Sequence, residues 1–210
     1  RTESELHSDA TNENGVSATE ALNSIPTDSS TFELESVTSI LDRHGSDKGE
    51  WCHYMGLHYE DLFRPYRKKA TKYLEIGVFE GSSLRSMAEI FQTPGSMFVG
   101  LDIDSSCLQY ASPDKNMFVK IGDASNSTFL QNIYDSYGKF DIILDDGSHQ
   151  NRDMIMSFEL LFPILNENGL YIVEDTAIYL HPSYNSEKYP NIIAYFQQFI
   201  PHLSPYVHSK

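Results

Sequence analysis

The sequence predicts a doubly wound α/β domain built on a mostly parallel sheet. Three observations predict it. First, five runs are apolar and rich in β-formers: KYLEIG (72–77), MFVGLD (97–102), NMFVKI (116–121), FDIILD (140–145) and GLYIVE (169–174). Each is a near-continuous hydrophobic run, as strands covered on both faces require. Second, amphipathic helical patterns lie between several of them. Third, strand–helix alternation at this spacing implies right-handed βαβ units.

In chain order, residues 1–31 hold Ser, Thr, Asn, Asp and Glu with few large apolar groups, which predicts a disordered polar lead-in. Residues 32–70 read as a helical entry segment. Leu34, Val37, Ile40 and Leu41 sit at helical spacing, and Gly45 follows as a stop signal. HGSDKGEWCHYMG is loop-like, and 57–69 reads as a helix that Pro65 breaks or kinks. Asp47-Lys48-Gly49 is either a solvated turn or a turn closing over a ligand. Residues 71–210 form the main domain. Its helices are predicted from Leu84, Met87, Ala88 and Phe91, and from Met154, Phe158, Leu161, Phe162 and Leu165. YPNIIAYFQQFI (189–200) also reads as helical.

The chain has 210 residues, room for one sizeable core. Its net charge of −15 excludes a basic face for nucleic acid or an anionic membrane, so neither partner is expected. No apolar run approaches the ~20 residues of a membrane span. Two cysteines, Cys52 and Cys107, form no C-x-x-C and make a disulfide framework a weak reading, so a reducing, cytoplasmic setting is expected. Arg1 in first place suggests a trimmed chain. Asn126-Ser127-Thr128 matches a glycosylation sequon, a pattern frequent by chance.

Ligands of open α/β sheets bind outside the carboxyl ends of the strands. Acidic residues stand at all five of these ends: EIGVFEGSS, LDID, GDAS, DDGSH and EDT. Glu75-x-Gly77-x-x-x-Gly81 is not G-x-G-x-x-G, which weakens a dinucleotide reading. Asp102 can accept both hydroxyls of a ribose, and Asp123 can accept from an exocyclic amine. Both also suit helix caps or turns. The exits together outline an adenosine-shaped site with no phosphate cradle, which points to S-adenosylmethionine. DDGSH sets two carboxylates before a histidine, and EDT adds two more acids one strand on.

YLEIGVFEGSSLRSM, FVGLDID, IGDASN, FDIILDDGSH and GLYIVEDT together resemble a class I S-adenosylmethionine-dependent methyltransferase, with its Rossmann-like sheet. The finer likeness is to the metal-dependent macrolide-sugar O-methyltransferases of the mycinose pathway type. HGSDKGEWCHYMGLHYEDLF resembles their entry segment. The resemblance runs from about residue 38 to about 200. It implies a magnesium site at Asp146, Glu174 and Asp175, with His149 as general base. It implies cofactor contacts from Glu75, Gly77, Gly81, Asp102 and Asp123, with Asp145 at the cofactor end or behind the metal. The expected activity is Mg²⁺-dependent transfer of a methyl group from S-adenosylmethionine to a hydroxyl of a sugar or other diol-bearing small molecule, by a chain that can form a homo-oligomer. The family's usual last two strands are not evident after Asp175, so a sheet without them is expected. Two other readings compete: a non-catalytic binding or assembly module on the same fold, and a dinucleotide-dependent oxidoreductase.

Overall fold

The computed structural model describes residues 34–177, 181, 184 and 189–203, and the expected lead-in at 1–31 lies outside them. Five strands follow the five apolar runs: β1 (Lys72–Ile76), β2 (Met97–Asp102), β3 (Met117–Ile121), β4 (Phe140–Asp145) and β5 (Leu165–Val173). They form one sheet in the order β3-β2-β1-β4-β5, and every pairing is parallel. β1 lies at the centre, with Tyr73 opposite Phe98 of β2 and Ile142 of β4.

Alternation along the strands sends successive side chains to opposite faces. Tyr73, Ile142 and Leu144 join a core on one face, with Val37, Leu41, Tyr59, Phe63, Leu84 and Phe91. Leu74, Ile76 and Ile143 join a second core, with Leu130, Ile133 and Leu161. The sheet is therefore covered on both sides, as its unbroken hydrophobic strands require.

The helices obey local signals. α1 (Val37–Arg43) starts where the Ser36 hydroxyl accepts from the Ser39 N–H at 3.1 Å. α2 (Gly56–Phe63) stops just before Arg64-Pro65, since proline has no N–H to continue the helical hydrogen bonds. α3 (Ser82–Ile90) begins at Gly81, whose φ of 68° is left-handed. α4 (Ser127–Tyr137) is capped by Asn126, which accepts from Phe129 N–H at 3.0 Å, so the sequon's asparagine serves as a cap. α5 (Asn151–Leu161) departs from the sequence pattern. Leu165 was expected on this helix, but it opens β5 opposite Phe140. Pro163 explains the difference: without an N–H, and with a ring that clashes one turn back, it turns Phe162–Ile164 into a 3-10 segment. α6 (Ile192–Gln197) and α7 (Ile200–Leu203) occupy the expected helical stretch near the end.

The described residues from Glu35 onward form one compact unit, so the described part of the entry segment belongs with the main body. β3 and β5 are the two edges of the sheet among the described residues. Among those residues no helix is long and apolar enough to cross a membrane. Both cysteines are free, Cys52 exposed and Cys107 buried.

An aromatic stack fixes the entry segment to the sheet. Phe63 is fully buried, stacks on Tyr59 at 4.6 Å between centroids and meets Phe91 edge-on at 5.0 Å. Phe63→Ala should cost about 3–5 kcal/mol of stability, read as a lower urea midpoint with an unchanged slope.

Candidate active site at the strand exits

β1 and β4 are neighbours, but the chain runs on from β1 to β2 and from β4 to β5 in opposite directions across the sheet, which opens a crevice at their carboxyl ends. A cleft of about 710 Å³ lies there, a size that suits a small-molecule ligand. All five strand exits reach it: Gly77, Asp102, Asp123, Asp145 with Asp146, and Asp175 line its walls.

Gly77 has a φ of 90°, and a Cβ there would lie 2.2 Å from the Asp146 carbonyl oxygen. Only glycine lets the two central exits touch. Asp102, at the end of β2, ties this loop down. One carboxylate oxygen accepts from the Val78 and Phe79 N–H groups at 2.9 and 3.1 Å, and the other accepts from Asp104 N–H at 2.9 Å. Burial works against its charge, but these donors outweigh it and hold its pKa below the ordinary carboxylate value. A carboxylate offers about four lone-pair positions, so acceptor capacity remains for a diol. Asp123 accepts from Ser125 N–H at 2.7 Å, and that bond keeps its pKa low.

The walls also carry exposed apolar groups, Phe79 and Ile103, on either side of Asp102. No lysine or arginine lines the cleft among the described residues. Carboxylates for a diol, apolar surface for a base and no cation for a phosphate fit an adenosine carrying a sulfonium.

Two residues expected at the cofactor lie off the cleft wall. Glu75 falls on the Tyr73 face of β1, the alternate side, and is fully buried. Its carboxylate accepts from the Tyr73 hydroxyl at 3.2 Å, and burial pushes its pKa up to about 7. Gly81 starts α3, where a Cβ would lie 2.7 Å from the Tyr110 ring. Asp145 does line the cleft, on the face opposite Glu75. It accepts from the Ser157 hydroxyl, and burial pushes it up to about 6.

At the other end, Asp146, His149 and Asp175 present ligand atoms that all lie within 4.8 Å of one another. His149 Nε2 is 3.9 Å from an Asp175 oxygen. His149 lies in the loop before α5 rather than on the helix. Both His149 (φ 56°) and Asp175 (φ 52°) are left-handed, a conformation non-glycine residues adopt at a cost and that clusters at functional sites. His149 Nδ1 is buried without a hydrogen-bond partner among the described residues. Two converging carboxylates fit a divalent cation, with the His149 imidazole beside them.

Glu174 is turned away from this trio. It is 4% exposed, and its oxygens accept from Lys48 Nζ at 2.7 Å and from the Tyr59 hydroxyl. The same ammonium donates to Asp146. Burial disfavours the Lys48 charge, but Glu174, Asp146 and Glu75 outweigh it and hold its pKa above the ordinary lysine value. Burial is also the main cause raising Asp146 and Glu174. The sequence left Lys48 open as a turn residue and did not single out Tyr59. The one available signal was a lysine isolated in an acid-rich chain beside a glycine-bounded loop.

Residues 74–176 match a family model described as a methyltransferase domain. The chain is 33% identical over 162 residues to mycinamicin VI 2''-O-methyltransferase of Micromonospora griseorubida, covering 73% of this chain and 39% of that protein. It is 35% identical over 160 residues to 8-demethyl-8-alpha-L-rhamnosyl tetracenomycin-C 2'-O-methyltransferase of Streptomyces olivaceus, covering 72% and 40%. Among solved structures, it resembles the mycinamycin-pathway methyltransferase MycE in complex with Mg, SAH and mycinamycin VI. That match has a TM-score of 0.72 and 30% identity, and spans 80% of this chain and 48% of that one. The chain thus spans about two-fifths of the length of these curated relatives. It belongs to the class I S-adenosylmethionine-dependent methyltransferases, and its likeness within them is to sugar O-methyltransferases of the mycinose type.

Proposed function

We propose that this domain transfers a methyl group from S-adenosylmethionine to a hydroxyl of a sugar or other diol-bearing small molecule, with the help of Mg²⁺. The observation that carries the reading is the division of one cleft. Asp102 and Asp123 at one end suit adenosine, and Asp146, His149 and Asp175 at the other suit a cation beside an acceptor. The two relatives are named as O-methyltransferases of mycinamicin VI and of a rhamnosyl tetracenomycin-C, which supports the acceptor class. Two free thiols fit a reducing compartment such as the cytoplasm.

When bound, S-adenosylmethionine supplies an electrophilic methyl group on a sulfonium, and a divalent cation supplies a Lewis acid for the acceptor hydroxyl. The chain's own residues orient and deprotonate. Asp102 fixes the glycine loop and receives the ribose hydroxyls. Asp145, held by Ser157, stands between the two halves of the cleft. Asp146 and Asp175 are the carboxylates that would hold the cation. Glu174, expected as a third ligand, adds its charge from behind Lys48. His149 sits beside Asp175, within reach of the same space, and would take the acceptor proton. Positioning of this kind can supply roughly 7–11 kcal/mol of a barrier.

His149→Ala should slow turnover on a sugar acceptor by roughly 10²–10⁴-fold, while S-adenosylhomocysteine binding by calorimetry stays within about twofold of wild type. A chelator should stop the wild-type reaction, and turnover that survives it would remove the cation from the scheme. Asp102→Asn should weaken S-adenosylhomocysteine binding by roughly 10–100-fold, the loss of charge-assisted hydrogen bonds to the ribose, with no loss of Mn²⁺ binding.

A further inference from the structure

Among the described residues, Lys48 is the largest charged side chain under 2% exposure, at 1%. A buried lysine is rare unless it is paired. This one reaches across the fold to two acids from different strand exits. Its Nζ donates to Asp146 after β4 and to Glu174 after β5, at sequence separations of 98 and 126 residues. The loop that presents it is held on itself. Met55 N–H donates to Lys48 O at 3.0 Å, and Tyr54 N–H to Gly49 O at 2.9 Å. It is held to α1 as well, where Asp42 accepts from Glu50 N–H at 2.9 Å and leaves no room for a Cβ at Gly49. Tyr59 of α2 donates to the same Glu174. The entry segment thus meets the reaction face through a lysine and a tyrosine on one carboxylate.

We propose that Lys48 is a positioning residue, the resident counter-cation of the acid cluster, which pins the entry segment to the reaction face and against whose charge a divalent cation must load. Asp146 is shared: it accepts from Lys48 and also belongs to the Asp146–His149–Asp175 group. Two cations on one carboxylate repel, so the lysine weakens divalent binding while keeping the acids together in the absence of metal. The second half of this inference rests on the cation reading above, and the first half does not.

The test uses the full chain with Lys48→Met, Lys48→Arg, Glu174→Gln and the Lys48→Met/Glu174→Gln double variant. Metal-free melting comes first. Lys48→Met should lower the melting temperature by about 10 °C, because the buried Glu174 and the half-buried Asp146 lose their partner. The double variant should melt no lower than Lys48→Met, since removing the orphaned charge offsets the loss, and Lys48→Arg should recover most of it. Additive single effects, or a double variant that fails to fold, would overturn the pairing. Mn²⁺ affinity comes second. Lys48→Met should bind Mn²⁺ at least about tenfold more tightly than wild type. Unchanged or weaker binding in a folded Lys48→Met protein would overturn the competition. If neither protein takes up Mn²⁺, the cation reading of the site fails with it, while the metal-free cycle still decides whether Lys48 is the counter-cation.

Discussion

The site depends on the contact between the exits of β1 and β4. These two strands pair at the centre of the sheet, and Asp146 N–H donates to Ile76 O at 3.0 Å as the chains leave it. Gly77 makes the contact possible, because any side chain would strike the Asp146 backbone. Once the two exits touch, the cofactor loop and the acid loop share one wall. Asp102 then clamps the first loop from the side of β2, and Ser157 of α5 fixes Asp145 behind the second. The crevice is a product of strand order, and its floor is a product of one glycine.

Charge is the second constraint. Asp145, Asp146, Glu174 and Asp175 follow two adjacent strands, and carboxylates this close repel unless something neutralises them. The protein answers in three ways. Asp145 turns to the face of Ser157 and Tyr171, and its pKa rises. Glu174 turns to the other side and takes Lys48 and Tyr59. Asp175 stays at the cleft with His149 and remains open to an external cation. A strained backbone at His149 and Asp175 aims both side chains into the same space.

The five strands were legible because a parallel sheet needs apolar residues on both faces, and each run ends where its apolar residues end. The end of α2 was legible because Pro65 marks it, whereas the caps at Ser36 and Asn126 emerged only in the structure. Leu165 was misplaced because its spacing continues the helical pattern, and the proline before it outweighs that pattern. The acids at the strand exits were legible as a set, since the topology gathers them at one edge.

By itself the sequence determined the sheet, the edge of it that carries chemistry, and the residue types that meet there. The tertiary structure decided which of them face the cleft. Alternation sends Glu75 to the face of Tyr73 and Asp145 to the opposite face, which borders the cleft, a parity that depends on the register of each strand in the sheet. Lys48 lies far from its acids along the chain and belongs to no periodic pattern, so only the docking of the entry segment could bring it to them. A buried ammonium is tolerated only where carboxylates already wait for it, and that condition is met by packing.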